Sequence, residues 1–559
     1  MWTQQYDPMG NWLLSTLLAA LPVLVLLGLL ASGRVNAWQA AICGLVTAAG
    51  VAAGPFGMPP DLVVASAGVG VVFALFRIVW LILAAIFLFD LAVMTGQFDV
   101  MRASIARLSA DRRVQVVLVA FSFGAFLEGA SGFGAPVAIT AAFLVGLGFE
   151  PFKAALLCLL ANTAPVAWGA LGVPFRTLSA VTGIDVEALS ATAGRILLVM
   201  PLVIPFWLVT TMAGWRATWP VSPALLVVGG SFAVVQFLWS NFVGHELVDI
   251  MSAVASLASG VVLLQFWKPR EEWRFPHDAD VSEGAAAQAA LASELKRGRV
   301  VRAWTPFALL TLAVLLWGTP AIQKWMDAHT SWKIELTRLH LKVAKGEAIT
   351  GHKTPEPQDR DPAVLEIVPV SATGTGVFLA AILSGLFLGV GPATMAATLA
   401  RTVRRLVPAF AAILCMLALG FVTKYAGLDT VLGLAFTRTG PLLYPIFGTL
   451  LGWVGVVPTG SDTSSNVLFG NLQKVTARKL GLSEVLMASA NTAGGVMGKM
   501  LAAQSIVVAT AATGLEGREG DILRKIIWHS LALALLVGVI VWLFAHVFPW
   551  AVVVPANAG

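Results

Sequence analysis

The stretch Phe121-Ser-Phe-Gly-Ala-Phe-Leu-Glu128-Gly-Ala-Ser131-Gly-Phe-Gly134-Ala-Pro136 lies inside a long apolar region and decides how the chain is organised. Glycine, serine and proline interrupt a helix here, and a carboxyl group stands at the interruption. At membrane depth, irregular backbone is tolerated only where protein or a water-filled cavity satisfies its polar groups. We therefore predict a broken helix beside a cavity, within residues 121–148.

A second stretch of the same kind is Gly455-Val-Val-Pro-Thr-Gly460-Ser-Asp462-Thr-Ser-Ser-Asn466, and aligning Gly129 with Gly460 gives an offset of 331 residues. About 30 residues after each stretch the chain repeats Ala-Asn-Thr-Ala, from Ala161 and from Ala490. The loop charges make the equivalent spans run in opposite directions. Such inverted repeats, with discontinuous helices that meet near the midplane, are typical of secondary transporters.

The composition places the chain in a membrane. It has 559 residues, of which 58% are hydrophobic and 12% charged, with a mean hydropathy of +0.84, whereas soluble domains carry about 25% charged residues. This excludes a water-soluble enzyme, a disordered chain and a nucleic-acid binder. Long continuous apolar runs also exclude a transmembrane barrel. The three cysteines lie in apolar runs, so no disulfide framework or zinc site is expected, and no cofactor is predicted.

The apolar runs predict an all-α polytopic membrane protein with about 12 transmembrane helices. The predicted spans are Leu13–Ala31, Ala37–Ala53, Leu62–Val93, Ala154–Leu171, Ile196–Met212, Ala224–Asn241, Ile250–Phe266, Ala303–Trp317, Ala372–Val390, Leu406–Phe421, Val485–Ala512 and Ile526–Phe548. Basic residues concentrate in cytoplasmic loops. Most of them face one side if both termini lie outside and if residues 114–147 and 444–472 each double back as re-entrant or broken-helix hairpins. Lys474, Arg478 and Lys479 then fall outside, and full crossings stay an alternative.

These features divide the chain into five parts. Residues 1–36 form an N-terminal helix, and 37–215 form the first inverted repeat, with its broken-helix motif at 121–148. Residues 216–318 form connecting helices and a charged cytoplasmic loop, in which Ala285–Leu295 is predicted as a short amphipathic helix. Residues 319–370 form an extramembrane loop, predicted as a connector, with a regulatory or partner-binding role as the alternative. Residues 371–559 form the second inverted repeat, with its motif at 455–472.

Few ionisable residues lie inside apolar runs, and each is a functional candidate, because a charge at the centre of a membrane helix costs about 2.5–3.5 kcal/mol. Glu128 stands at a helix break, where a partly desolvated carboxyl group can load and release a proton; capping of the broken helix is the alternative. Asp462 occupies the matching break, with a helix N-cap as the alternative role. Lys499 is the best single cation to neutralise a carboxylate, with snorkelling to the membrane interface as the alternative. Arg77 is predicted to pair with Asp90 or to act as a second such cation.

The predicted proton-coupling residues are thus Glu128 and Asp462. No catalytic or metal-binding residue is predicted. Neutral donors and acceptors around the two breaks suit a small hydroxylated substrate, with interhelical hydrogen bonding as the alternative for the Asn-Thr pairs. The predicted substrate-binding residues are Ser131, Gly132, Gly134, Asn162, Thr163, Ser461, Thr463, Ser464, Ser465, Asn466, Asn491, Thr492, Lys499 and Gln504.

These stretches resemble the bacterial L-lactate permease family over nearly the whole chain. The resemblance rests on Trp2–Pro8, Gln97–Val100, Phe123–Ile139, Asn162–Ala167, Thr459–Asn466 and Ala490–Val496. It implies proton-coupled symport of L-lactate, together with D-lactate and glycolate, across the bacterial inner membrane. Ser131 departs from the family, which often has alanine there, and adds a hydroxyl group close in sequence to Glu128.

Three other functions would each use part of this pattern. Sodium-coupled transport of a small carboxylate by the same architecture is the main alternative, because oxygen-rich helix breaks also hold sodium. An intramembrane aspartic enzyme needs two carboxylates that share a proton, and Asp462 has only the distant Asp90 as a candidate partner in sequence. A channel requires a selectivity filter. The predicted partners are therefore a small carboxylate, protons and the lipid bilayer, with no nucleic acid.

Overall fold

The computed structural model of the chain describes residues 1–32, 34–106, 108–130, 132, 135–275, 297–352, 354–515 and 518–553. Within this part, eleven helices are long and apolar enough to cross a membrane, or twelve if one bent helix pair counts as a span. This confirms the prediction of an all-α polytopic membrane protein. The eleven helices are Trp12–Leu30, Pro60–Met94, Arg112–Ala130, Val186–Ala213, Trp215–Phe242, Val248–Phe266, Arg297–Trp317, Pro392–Ala426, Leu428–Thr459, Glu484–Thr513 and Glu519–His546. The predicted helix Ala285–Leu295 lies outside the described residues.

Shorter helices complete the membrane region. Two predicted spans form helices of only 17 and 15 residues, Ala37–Ala53 and Thr373–Phe387, against the about 20 residues of a typical span. Two helices contain a turn of π-helix, at Ala74–Val79 and at Val117–Phe123. The remaining short helices are Gln97–Ala106, Ala135–Gly146, Pro151–Ala161, Gly169–Thr182, Pro320–Thr330, Glu347–Thr350 and Asp462–Leu480, with 3-10 turns at Val166–Trp168, Pro357–Asp359, Lys499–Leu501 and Pro549–Ala551.

Both regions that were predicted to double back are helical hairpins. In the first hairpin, Arg112–Ala130 packs against Ala135–Gly146, and the rings of Phe123 and Phe143 meet at 6.3 Å on its inner side. In the second hairpin, Gly440–Thr459 packs against Asp462–Leu480. Its arms are joined by hydrogen bonds from Ser465 Oγ to the Gly452 carbonyl, 3.0 Å, from Gln473 Nε2 to the Gly448 carbonyl, 2.6 Å, and from Tyr444 Oη to Gln473 Oε1, 2.7 Å. These three hydrogen bonds join residues on opposite sides of the turn at Gly460, so the two arms run antiparallel.

The span predicted at Ala154–Leu171 is not a straight helix, which corrects that prediction. Pro151–Ala161 and Val166–Thr182 meet at an angle of 63°, and the second arm runs eleven residues further than predicted. Within it Ala170, Leu171 and Gly172 are all left-handed, with φ of 48°, 60° and 74°. Left-handed backbone is costly for Ala and Leu, and it persists only where surrounding structure imposes it, often at functional sites. The region Val485–Ala512 is likewise interrupted, at Lys499–Ala502.

The segment 319–370 is folded. It contains helix Pro320–Thr330 and strands Trp332–Glu335 and Val364–Ile367, which pair antiparallel. A third strand, Val343–Ala344, pairs in parallel with Trp2–Thr3, so the N-terminus is fixed to this segment. Lys479 donates to the Ala348 carbonyl. The basic end of the second hairpin therefore lies beside the extramembrane segment, on the side where the predicted topology places it.

At the opposite end, a buried ion pair fixes the predicted cytoplasmic loops. Arg113 contacts Asp111 at 2.6 Å and also donates to the carbonyls of Ala217 and Glu271 at 2.8 Å. The backbone N–H of Trp273 donates to the same Asp111 oxygen, Oδ2, that Arg113 contacts at 2.6 Å; the Trp273 distance is 3.0 Å. These contacts join three loops that the charge pattern assigns to one side of the membrane.

Glycines bring the second hairpin into backbone contact with helix Glu484–Gly498. A Cβ atom at Gly452 would overlap the Asn491 carbonyl oxygen, and one at Gly494 would overlap the Thr449 carbonyl oxygen. Small residues at such crossings let membrane helices approach closely.

We predict that Gly452→Ala lowers the free energy of unfolding by about 1–3 kcal/mol, because the added methyl group overpacks this crossing. Thermal unfolding in detergent, followed by size-exclusion chromatography, would measure the effect. Gly68→Ala is the control: a Cβ there meets no atom within 4 Å, so its melting temperature should equal or exceed that of the wild type. Equal stability of the two variants would contradict the prediction.

Candidate functional site

Glu128 lies near the end of the first arm of the first hairpin, in segment Gly124–Ala130, and is 3% exposed. Its Oε1 faces Gly169, where a Cβ atom would lie only 2.8 Å away, so the bent span leaves room for the carboxyl group by having glycine there. Oε2 has no hydrogen-bond partner among the described residues. Oε2 therefore does not cap a helix among the described residues.

Asn162 stands at the break of the bent span, close enough to Glu128 to interact with its carboxyl group. Its side-chain Nδ2, although buried, donates to none of the residues that the structure describes. Thr163 donates to the Leu160 carbonyl in its own helix, 2.7 Å. Of this predicted Asn-Thr pair, only the asparagine thus keeps a free donor near a carboxyl group.

Lys499 connects the two helix breaks. It is 7% exposed, and Nζ donates to the Gly460 carbonyl at the tip of the second hairpin, 2.5 Å. Its ammonium group interacts electrostatically with Glu128 and with Asp462. The structure thus brings together three charged residues that were predicted separately, with one cation that interacts with two carboxyl groups.

Asp462 begins helix Asp462–Leu480 and is 3% exposed. Ser461, not Asp462, is the helix N-cap, since its hydroxyl oxygen accepts from the Ser464 N–H at 3.3 Å. Asp462 Oδ2 accepts from Asn466 at 3.4 Å, and Oδ1 has no partner in the described part of the chain. The capping alternative does not account for this carboxyl group.

Four of the predicted neutral ligands, Ser465, Asn466, Asn491 and Thr492, hydrogen-bond to one another. Asn466 Oδ1 accepts from Asn491 Nδ2 at 2.9 Å and from Thr492 Oγ1 at 3.0 Å, and Asn466 Nδ2 donates to the Pro174 carbonyl at 3.2 Å. Asn491 also reaches Ser465 Oγ at 3.4 Å. This network ties the second hairpin to two other helices. The geometry favours interhelical hydrogen bonding for Ser465, Asn466, Asn491 and Thr492.

Other predicted residues surround the tip of the second hairpin. Ser461, Thr463 and Ser464 line a narrow cavity whose walls include Ile82, Val173 and Met416. Gln504 is exposed and lies near Gly460. In the first hairpin Gly132 has φ of 58° and approaches Ala170. Ser131 and Gly134 lie outside the described residues.

Asp249 is a site residue that the sequence analysis missed. It is 1% exposed in the first turn of helix Val248–Phe266 and packs against Gly129, where a Cβ atom would lie 2.7 Å from Asp249 Cβ. Both of its carboxylate oxygens lack hydrogen-bond partners among the residues described. The predicted span began one residue later, at Ile250, because Asp249 itself ended the apolar run. An apolar residue before it, Val248, was the available signal.

Asp90 and Arg176 each form an ion pair in the structure. Asp90 accepts from Arg405 at 2.8 Å and from Thr402 at 2.5 Å, and its predicted pairing with Arg77 stays a prediction. The Arg405 partner comes from a helix 315 residues away in sequence, which no local pattern indicates. The Arg77 side chain lies outside the described residues. Arg176 pairs with Glu246 and donates to Thr373.

Comparisons with known proteins give full-length matches. The family model described as L-lactate permease matches residues 15–548. The chain is 44% identical to "Glycolate permease GlcA" of Escherichia coli strain K12, over 98% of each chain. It is 42% identical to "L-lactate permease" of Salmonella typhimurium and of Bacillus subtilis, over 99% of this chain and 100% of each relative.

Two solved structures resemble this chain at low sequence identity. The YdaH transporter of Alcanivorax borkumensis is 14% identical, with a TM-score of 0.43 over 84% of this chain and 86% of that chain. The antimetabolite efflux pump MtrF of Neisseria gonorrhoeae is 11% identical, with a TM-score of 0.45 over 85% of this chain and 82% of that chain.

The family match covers both hairpins, the bent span and the interrupted helix that carries Lys499, so the whole candidate site falls within it. Relatives above 40% identity extend over essentially all of the chain. A multi-pass protein of the bacterial inner membrane, the chain belongs to the L-lactate permease family.

Proposed function

We propose that this protein takes up L-lactate, and also D-lactate and glycolate, by symport with protons. The names of the relatives support the substrate class, since they include both a glycolate permease and L-lactate permeases. Glu128 and Asp462 are the proposed proton-coupling residues. The inverted relation of the two repeats stays a prediction, supported by the two hairpins and by a 3-10 turn at each helix interruption.

The charge balance of the site carries the proposal. Among the described residues, the site holds three buried carboxyl groups, those of Glu128, Asp249 and Asp462, and one buried lysine, Lys499. Lys499 interacts electrostatically with Glu128 and Asp462, and Asp249 interacts with Glu128. If all are ionised, the net charge is −2 (three negative charges and one positive), and a carboxylate substrate would make it −3. Uncompensated charge in a low-dielectric interior is very costly. Binding of an anion here is therefore expected to require protonation of a site carboxyl group. This requirement would couple substrate binding to proton binding.

Lys499 is the proposed anchor for the substrate carboxylate. Its Nζ donates to the Gly460 carbonyl at the tip of the second hairpin, and a carboxylate is a stronger acceptor for an ammonium group than a neutral carbonyl. Substrate would take the place of this carbonyl. Helix Asp462–Leu480 begins at the same tip, and a helix N-terminus favours an anion.

Specificity for a small 2-hydroxy acid has candidates on both sides of this anchor. The free Nδ2 of Asn162 can donate to the substrate hydroxyl or carboxylate oxygen. The cavity beside Ser461, Thr463 and Ser464 has apolar walls suited to a methyl group. A narrow cavity also fits glycolate, which lacks the methyl group, and opposes larger carboxylates.

The direct test is uptake of labelled lactate and glycolate into proteoliposomes that contain the purified full-length chain. We expect uptake when the outside is more acidic than the lumen, collapse of uptake when a protonophore and a potassium clamp remove the gradient, and no response to a sodium gradient. Liposomes without protein are the control. Uptake that follows sodium and ignores pH would overturn the proton assignment in favour of the sodium-coupled alternative.

A further inference from the structure

We infer that Asp249 is a second proton-coupling residue, which shares the coupling proton with Glu128 across the Gly129 contact. This inference rests on the proposed function and adds a carboxyl group from a helix outside both hairpins. It makes helix Val248–Phe266 part of the coupling machinery rather than a passive connecting helix.

The burial and bonding of Asp249 support this role over a structural one. An aspartate in the first turn of a helix usually accepts hydrogen bonds from free backbone N–H groups. Asp249 makes no such bond within the described part of the chain, although it is 1% exposed. Leaving a buried carboxylate without partners is expensive, so a purely structural role would not explain its presence here.

The neighbour of Asp249 is the second part of the argument. Gly129 follows Glu128 directly, and a Cβ atom there would lie 2.7 Å from Asp249 Cβ and 3.0 Å from the Ile250 backbone nitrogen. Glu128 and Asp249 interact electrostatically in this arrangement. Two carboxyl groups at close range in a low-dielectric site do not both ionise, and a shared proton is the usual solution. Glu128 Oε2 and both oxygens of Asp249 are available for it, since none has another partner among the residues described.

Among the described residues, the charged ones near Glu128 and Asp249 are few, and each has another partner. Lys499 interacts electrostatically with Glu128 and with Asp462. Helix Ser222–Phe242, which packs on helix Val248–Phe266, has no ionisable residue, and neither has segment Val117–Phe123. Gly169–Thr182 contributes Arg176, which is bonded to Glu246 and Thr373.

His245 lies four residues before Asp249 and bonds to Glu187 at 2.8 Å. Burial lowers the pKa of His245, although the neighbouring Glu187 carboxylate acts in the opposite direction. Arg176 and His245 are thus engaged with other partners, and Glu128 is the carboxyl group that interacts electrostatically with Asp249.

The depth of Asp249 in the membrane indicates how a proton shared with Glu128 would be used. Helix Val248–Phe266 has 19 residues, which span about 28 Å at 1.5 Å per residue. Its far end leads to Trp273, beside the buried Arg113–Asp111 pair at the predicted cytoplasmic side. Asp249 therefore lies toward the outer side in the predicted orientation. From there it would receive a proton and pass it to Glu128.

The test compares Asp249→Asn with wild type in the proteoliposome assay, over a range of external pH. Asparagine is neutral and cannot favour protonation of a neighbouring carboxyl group. We expect the external pH of half-maximal uptake to move by about one unit toward acid, while exchange of internal for external lactate at constant pH continues. A merely structural role would lower the melting temperature and the maximal rate without moving this pH.

Asp429→Asn is the matched control. Asp429 is also buried, at the second position of helix Leu428–Phe436, but its carboxylate accepts from Asn471 at 3.4 Å. The pH dependence of uptake by the Asp429→Asn variant should equal that of the wild type. If wild-type uptake follows the pH gradient and Asp249→Asn keeps the wild-type midpoint, this inference is wrong and the proposed function stands. If wild-type uptake ignores the pH gradient, both are wrong.

A second measurement covers the case in which Asp249→Asn does not fold. Dicyclohexylcarbodiimide reacts with protonated carboxyl groups in apolar surroundings, and peptide mass spectrometry locates the adduct in wild-type protein. We expect labelling at Asp249 or Glu128 but rarely at both in one molecule, decreasing as pH rises and decreasing with lactate. Absence of label at Asp249 at every pH, with Glu128 labelled, would refute the shared proton.

Discussion

Glu128→Gln is expected to stop net lactate uptake driven by a pH gradient while leaving exchange of internal for external lactate measurable. Glutamine has the shape of a protonated glutamate but cannot release a proton. A carrier with this side chain can still bind substrate and change conformation when loaded. It cannot return empty in its deprotonated form, so we expect net uptake to fall by at least about tenfold, as when a proton-transferring group is removed.

The measurement is paired: pH-driven uptake and exchange in the same preparation of proteoliposomes, at several pH values. Glu150→Gln is the control, because Glu150 is half-exposed and pairs only with Lys153 among the described residues, 3.2 Å; both of its activities should equal those of wild type. If Glu128→Gln keeps pH-driven uptake with an unchanged pH dependence, Glu128 is not on the proton path.

Lys499→Met is expected to weaken lactate binding by at least about tenfold, because loss of one partner of a buried charge pair costs about 2–5 kcal/mol. The variant removes the cation that faces Glu128 and Asp462 and the donor that now holds the Gly460 carbonyl. Equilibrium binding of labelled lactate to purified protein would measure the loss. Binding should improve at lower pH, where protonation of the carboxyl groups removes the uncompensated charge.

Lys474→Met separates this effect from a general loss of a buried lysine. Lys474 also lies on the second hairpin and donates to a backbone carbonyl, that of Thr182, 2.5 Å, but Lys499 is the cation that faces both site carboxyl groups. Its substitution should lower stability and leave lactate affinity within about twofold of wild type. Combining Lys499→Met with Asp462→Asn should recover part of the lost stability, since coupled neighbours are not additive. Unchanged affinity in Lys499→Met would exclude this lysine as the anchor.

Much of the site could be predicted because charges are rare in apolar sequence. Glu128, Asp462 and Lys499 stand out from the cost of placing a charge in a membrane, and the structure brings all three together. The glycine- and serine-rich breaks likewise predict where the chain turns back, and both hairpins are present. Here the local sequence suffices, because helix interruption depends on the residues at the interruption itself.

Other features depend on partners that are remote in sequence. The apolar run ended at Asp249, which hid its burial beside Gly129, 120 residues away. Asp90 pairs with Arg405, which is 315 residues away in sequence. The hydrogen bonds that occupy Asn466, Asn491 and Thr492 involve the backbone of Pro174, nearly 300 residues distant. For such residues, the sequence indicates only that a buried polar group needs a hydrogen-bond or ion-pair partner. The packing of the helices determines which residue that partner is.

By itself the sequence determined that this chain is a helical membrane protein, where its helices break, and which few charges lie inside. These follow from the free energy of transferring each segment into hydrocarbon, which depends on the segment alone. Only the tertiary structure decided that one lysine serves two breaks, that the bent span turns through 63°, and that a third carboxyl group joins the site. These depend on which surfaces meet, because the stability of a buried charge is set by the groups packed around it.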